Sequence, residues 1–143
     1  MMFRKLRKII LLVLAFFVAY SLAGCGKKGE EMKKDLDFTV CDVTRMPEEL
    51  LDIIEEKKGN IFKLSYMNDD YMYIAIGYGE HSRQNLNVVV EDLYMTDNAI
   101  YVETNLITEE NTSTDGQKGE TSMYPYIVLK CEKYDLPVVF DID

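Results

Sequence analysis

The chain has little of what metal centres and catalytic sites are built from. It contains one histidine, three cysteines and no tryptophan among its 143 residues. One histidine, with cysteines that lack the spacing of zinc ligands, cannot complete a closed zinc site. His81 precedes Ser82, but adjacent residues of an extended chain cannot face each other as a nucleophile and its base. We therefore expect no metal, no cofactor and no catalytic residue, and we interpret His81 as a solvated loop histidine.

Long apolar runs are also scarce, apart from one at the start of the chain. Four cations between Arg4 and Lys8 precede an apolar stretch from Ile9 that closes with Leu22-Ala23-Gly24-Cys25. A basic start, an apolar middle and a small-residue exit are typical of an export signal. The closing residues resemble the lipobox of bacterial lipoproteins, in which the chain is cut before a cysteine that carries a diacylglyceryl group. We expect a signal peptide over 1–24, acylation of Cys25 and a lipid anchor on the extracytoplasmic face of the cell membrane.

The alternative for this segment is an uncleaved transmembrane helix. A membrane span needs about 20 apolar residues, and the stretch from Ile9 to Gly24 is shorter than that. The lipoprotein interpretation is therefore preferred.

Positive charge is in short supply beyond the export signal. Without residues 1–24 the chain keeps 12 basic against 25 acidic residues, a net charge of −13. That sign argues against nucleic-acid binding, which needs a basic face. It also disfavours adhesion to anionic lipid headgroups, so the acyl chains alone are expected to attach the protein to the membrane.

Two cysteines remain once Cys25 is assigned to the lipid. Cys41 and Cys131 both fall in predicted strands, so they can form a disulfide in an oxidising compartment. The alternative is a pair of buried thiols that act as small apolar side chains.

The rest of the chain predicts an α+β domain. Residues 25–35 are polar and contain glycine, which indicates a flexible tether. A helix is expected between Pro47 and Gly59, with Glu48 and Glu49 at its start. Period-two alternation predicts seven strands, at about 38–43, 61–66, 72–76, 86–95, 100–106, 126–131 and 138–142. We expect residues 36–143 to form one small domain in which an antiparallel sheet of six to seven strands packs against this amphipathic helix. A small barrel or sandwich is the alternative.

Tyrosine is the abundant aromatic residue, with ten copies. Its large apolar ring and polar hydroxyl suit protein contacts. We take as a candidate partner surface the tyrosines of the 66–78 hairpin and those beside Pro125, namely Tyr71, Tyr73, Tyr78, Tyr124 and Tyr126. The alternative is that they are half-buried sheet residues. Gly77-Tyr78-Gly79 is a weak match to a phosphate-binding loop and is better explained as a strand end.

Several segments between Pro47 and Phe140 resemble the family called protease complex subunit PrcB. They are PEELLDIIEEKKG, FKLSY, YIAIGYGE, VVVEDLYMTDNAIYVETNLI, YPYIVLK and VVF. The resemblance implies a short domain of antiparallel strands behind a lipobox, with no catalytic residue. It also implies association with a surface subtilisin-like protease. The family usually has a Gly-Gly-Tyr stretch where this chain reads His81-Ser82-Arg83-Gln84-Asn85-Leu86.

The sequence thus predicts a non-catalytic lipoprotein that contacts or stabilises another exported protein, such as a surface protease. A second hypothesis is a module that binds a small molecule or a cell-wall component between the 77–86 and 108–122 loops. A third is a hydrolase that uses a carboxylate pair.

Overall fold

Eight strands and one α-helix form the regular core of the computed structural model, which describes residues 32–82, 85–108 and 122–142. The predicted signal peptide, its cleavage motif and Cys25 lie outside the described residues. A short 3-10 helix, Val43–Arg45, leads into helix α1, Glu48–Lys57. The strands are β1 (Lys34–Asp35), β2 (Phe38–Val40), β3 (Ile61–Met67), β4 (Tyr71–Tyr78), β5 (Leu86–Met95), β6 (Ile100–Thr108), β7 (Tyr126–Glu132) and β8 (Val138–Ile142).

The strands form two four-stranded sheets. The first, here called sheet 1, has the order β1-β5-β6-β8, and sheet 2 has the order β2-β7-β4-β3. Pairing is antiparallel throughout except between β6 and β8, which are parallel. Sheet order departs from chain order because β7 separates β2 from β4.

The two sheets enclose the main core. Apolar residues of β4 and β7 from sheet 2 meet those of β5 and β6 from sheet 1, including the fully buried Ile74, Leu129 and Ile100. A second cluster lies on the other face of sheet 2, where Leu50 and Ile54 of α1 pack on Val128 and its neighbours. The domain therefore has three layers, sheet 1, sheet 2 and helix. Because β4 is central and covered on both faces, seven of its eight residues are buried.

The local predictions for the helix and the first hairpin are confirmed. Helix α1 buries Leu50 and Ile54 and carries acidic residues in its first turn, as its pattern indicated. The hairpin turn is formed by Asn68, whose Oδ1 accepts hydrogen bonds from the N–H groups of Asp70 and Tyr71 at 3.1 and 2.8 Å. This contact is the Asx turn that Asn-Asp-Asp favours.

Three features differ from the prediction. The strands divide between two sheets, so a single sheet of six to seven strands is wrong, and the sandwich alternative describes the strand layers better. Lys34 and Asp35, assigned to the tether, form β1 and pair with Met95 and Tyr94. The last strand joins sheet 1 in parallel rather than antiparallel pairing. Each difference is a long-range pairing, which local alternation does not encode.

Candidate functional site

The five candidate tyrosines do not form one surface. Tyr73 and Tyr78 are 3% and 8% exposed and belong to the cores on opposite faces of sheet 2, and Tyr126 is half-buried against the helix-side core. Tyr71 and Tyr124 are exposed. They lie towards opposite ends of the β4–β7 ladder, since Tyr71 is opposite Glu132, eight residues or roughly 26 Å from Tyr124 at 3.3 Å per residue.

Tyr78 has a structural role in the core. Its hydroxyl lies 2.9 Å from Oγ1 of Thr104, a β6 residue that is 1% exposed. This contact joins the two sheets through a buried polar pair. The burial of Tyr78 removes it from any partner surface.

Cys41 and Cys131 are free and buried thiols, so the disulfide is not formed. Cys41 donates its N–H to the carbonyl of Val128, three residues from Cys131 along β7. That spacing separates the cysteines by roughly 10 Å, beyond the reach of a disulfide. It also places them on opposite faces of sheet 2, because side chains alternate along a strand. Burial raises the pKa of both thiols above the ordinary value.

A groove of about 420 Å³ lies along β2, at the edge of sheet 2. Three candidates from the sequence, Tyr71, Cys41 and Cys131, line it together with residues that sequence reasoning did not select. The exposed apolar side chains on its walls are Phe38 and Val40 of β2 and Tyr71, which are 39%, 57% and 41% exposed. Phe38 and Val40 lie on the outermost strand of sheet 2, so their exposed side chains are accessible to a partner.

Two cations line the same groove. The Lys130 ammonium lies 3.6 Å from the centroid of the Tyr71 ring, within cation–π distance. Arg45, at the end of the 3-10 helix, is the second cation. Within residues 32–82, 85–108 and 122–142 the ion pairs are Lys33–Asp92 and Lys58–Glu55, so neither groove cation is paired with a described carboxylate.

No strand among the described residues pairs with the outer edge of β2. In an antiparallel pair, opposed residues alternate between hydrogen-bonded and non-hydrogen-bonded positions. The 2.8 Å bond from the Cys41 N–H to Val128 and the β2–β7 register make Thr39 a hydrogen-bonded position. The N–H and C=O groups of Phe38 and Val40 therefore point away from β7, to the side on which sheet 2 ends.

A stacked tyrosine pair on the outer face of sheet 1 was missed by the sequence reasoning. Tyr94 and Tyr101 face each other across the β5–β6 hairpin, with ring centroids 5.0 Å apart and an interplanar angle of 10°. Lys33 covers the other side of the Tyr94 ring at 4.1 Å. The signal was available, since the two residues flank the predicted Asp97-Asn98 turn symmetrically.

The histidine and glycine motifs are explained by local structure. Nε2 of His81 donates a hydrogen bond to the Tyr78 carbonyl at 3.0 Å, since a carbonyl can only accept. His81 is therefore a partly buried residue whose side chain is hydrogen-bonded to the turn, rather than a fully solvated residue. Gly77 lies inside β4, opposite Phe62 of β3, and Gly79 adopts a φ of 80° where the strand ends. The next described element after these glycines is strand β5 rather than a helix, so the phosphate-loop interpretation is not supported.

The glutamate beside this turn forms hydrogen bonds with two hydroxyl groups. Glu80 accepts hydrogen bonds from Ser122 and Tyr124, the latter at 3.4 Å. Most of the 108–122 loop, proposed as one rim of a ligand site, lies outside the described residues, as do Arg83 and Gln84. Within the described parts of the chain, no group of three or more His, Cys, Asp or Glu side chains is placed to hold a metal ion.

Comparisons with protein-family models, curated proteins and solved structures found no match to this chain. Among the described residues, no helix has both the length and the apolar character needed to cross a bilayer.

Proposed function

We propose that this protein is a non-catalytic lipoprotein, anchored through acylated Cys25, that contacts or stabilises another exported protein at the groove beside β2. The observation that carries the proposal is the groove with exposed apolar side chains, two cations and two carboxylates along the outer edge of β2, where no described strand pairs. Phe38, Val40 and Tyr71 are 39%, 57% and 41% exposed there. Burying such side chains stabilises a complex by about 25 cal/mol per Å² of apolar surface before the cost of association is subtracted.

The charge of the domain supports a protein partner of a particular kind. The mature chain is expected to carry −13, yet the groove contains Lys130 and Arg45. The acidic surface as a whole repels most acidic proteins at long range, whereas the two groove cations attract an acidic group that fits the groove. The charge pattern thus favours selective rather than general adhesion.

The resemblance to the PrcB family supports the same proposal and suggests a surface protease as the partner. The segment PEELLDIIEEKKG contains helix α1, and FKLSY and YIAIGYGE contain most of β3 and β4. The position at which the family has glycines is occupied here by residues 81–86. The groove beside β2 is distant in sequence from that departure, so a contact at the groove does not depend on those glycines.

The test is crosslinking of the full lipoprotein in membranes, followed by identification of the captured proteins. We expect one exported protein to be recovered with the native chain and lost with Val40→Glu. Val139→Glu is the matched control, because Val139 is also an exposed strand valine, at 44%, but lies on the outer face of sheet 1. Equal recovery with both variants would place the contact elsewhere, and repeated recovery of no partner would remove support for a protein-binding function.

A small-molecule or cell-wall ligand is the second candidate. The observation in its favour is the groove volume of about 420 Å³, which lies in the range of roughly 300–1,000 Å³ typical of ligand sites. Titration of purified cell-wall fragments by calorimetry distinguishes the two. Saturable binding that Val40→Glu abolishes and Val139→Glu retains would favour this second function.

A further inference from the structure

We propose that the partner docks by strand addition: an extended segment of the exported protein pairs with the free edge of β2, and a carboxylate on that segment binds Arg45 and Lys130. This inference rests on the proposed protein-binding function and specifies its chemistry. It identifies the partner element as an extended acidic peptide rather than a helix or a folded surface.

The backbone of β2 supplies the template for strand addition. Phe38 and Val40 direct two N–H and two C=O groups outward, and the described backbone hydrogen bonds outside strands and helices do not involve them. Unpaired groups in a row at a sheet edge pair readily with another extended chain. An added strand would lie about 4.8 Å beyond β2 and extend sheet 2 from four strands to five.

The side chains of β2 explain why this edge is suited to a peptide. Val40 is 57% exposed because no described strand lies outside it, although it is opposite the buried Leu129 in the β2–β7 pair. A strand paired with β2 would place alternate side chains beside Phe38 and Val40 and the others beside Thr39, above the groove. The added chain would therefore bury apolar surface on one face and approach the groove cations on the other.

The positions of the groove charges favour a peptide with a carboxylate placed near Arg45 and Lys130, and the net charge argues against a second copy of this chain. Arg45 and Lys130 lack a carboxylate partner among the described residues, and a guanidinium binds carboxylate in a bidentate geometry. Asp37 and Glu132 follow in the same groove, at the end where β2 begins and β7 finishes. Because the carboxylates and the cations of the groove lie at different positions along β2, they also favour one of the two possible orientations of the bound peptide. A second copy would bring a further net charge of −13 to the same edge.

The experiment selects peptides from a displayed library of random dodecamers against the purified full chain in detergent. The expected peptides combine alternating apolar residues with Asp or Glu and slow the hydrogen exchange of the Phe38 and Val40 amides. Val40→Pro removes the outward N–H without breaking a bond to β7, and we expect it to weaken binding roughly tenfold relative to Val40→Ala, which keeps that N–H. Arg45→Glu should shift the selected peptides from acidic to basic.

The results separate this inference from the function on which it rests. If a partner protein is captured but selected peptides show no acidic preference, or protect amides other than Phe38 and Val40, strand addition is refuted and protein binding stands. A concentration-dependent dimer that Val40→Pro dissociates would identify a second copy as the occupant and refute the proposal. If neither peptide nor protein binds, both proposals fail. The exchange measurement uses the native chain, so it decides the question even if Val40→Pro does not fold.

Discussion

Substitution of Gly77 by alanine tests whether the ring of Phe62 and the bare backbone of β4 form a tightly fitted pair. Gly77 is opposite Phe62 in the β3–β4 ladder, and Phe62 is 7% exposed, within the core beneath helix α1. A Cβ atom at Gly77 would come within 3.0 Å of three carbons of the Phe62 ring. Real Cβ contacts do not approach this closely, so the ring would have to move.

The expected cost follows from the surroundings of the ring. Leu50 and Ile54 are fully buried beside it, so displacement of the ring disturbs a packed cluster. Overpacking of this kind costs about 1–3 kcal/mol. The alanine also lowers the conformational entropy of the unfolded chain, which stabilises the folded state by about 0.5–1 kcal/mol. A net loss of roughly 1–2 kcal/mol in the free energy of unfolding is expected.

The assay is a double-mutant cycle with denaturant unfolding followed by far-ultraviolet circular dichroism. Phe62→Ala alone should cost about 3–5 kcal/mol, because it leaves a cavity. In the Phe62→Ala background, Gly77→Ala should change sign and stabilise the protein by about 0.5–1 kcal/mol, since the clash is gone and the added methyl group fills space. The coupling energy between the two positions should therefore be about 2–3 kcal/mol.

Two outcomes would refute this reasoning. If Gly77→Ala is neutral or stabilising in the native background, the ring accommodates a methyl group and the fit is not tight. If Gly77→Ala costs the same in both backgrounds, its effect comes from the backbone rather than from Phe62. Gly59→Ala is the matched control, because nothing lies within 4 Å of a Cβ at that position, and it should not depend on Phe62.

Three further predictions concern single side chains. Tyr78→Phe should lower the free energy of unfolding by about 1–3 kcal/mol, because it removes the buried hydrogen bond to Thr104. In the same unfolding assay, the double variant Tyr78→Phe/Thr104→Val should lose less stability than the sum of the losses of the two single variants. Burial raises the folded-state pKa of the Cys131 and Cys41 thiols above the ordinary value. The free energy of unfolding should therefore be unaffected by these thiols below about pH 9 and should decline as the pH rises from about 9 towards the raised folded-state pKa. Replacement of both residues by Ala should flatten that part of the pH profile. Neither thiol should react with a thiol reagent before unfolding, and a reductant should not shift the unfolding midpoint. Cys25→Ala should accumulate an uncleaved precursor in membrane fractions, and normal processing in a mass spectrum would contradict the lipoprotein proposal.

Side-chain alternation along a single strand explains only part of the candidate site. In the order Tyr71-Met72-Tyr73, alternation along β4 puts the two tyrosines on one face of the strand and the methionine on the other. The pattern does not show that Tyr73 is covered by helix α1 while Tyr71, two residues earlier, projects beyond it. The groove beside β2 was not predicted because its walls come from β2, the 3-10 helix, β4 and β7. These segments are brought together only by pairing across about 90 residues of chain.

The linear order of residues was sufficient to predict helix α1, the long hairpins and the Asn68 turn. Each of these depends on neighbours within a few positions, through side-chain period, capping charge and turn chemistry. Folding in three dimensions determined the division into two sheets, the parallel docking of β8 and the opposite orientations of Cys41 and Cys131. Those features arise because distant strands compete to bury their apolar faces, and the winning arrangement depends on the free energy of the whole packed domain.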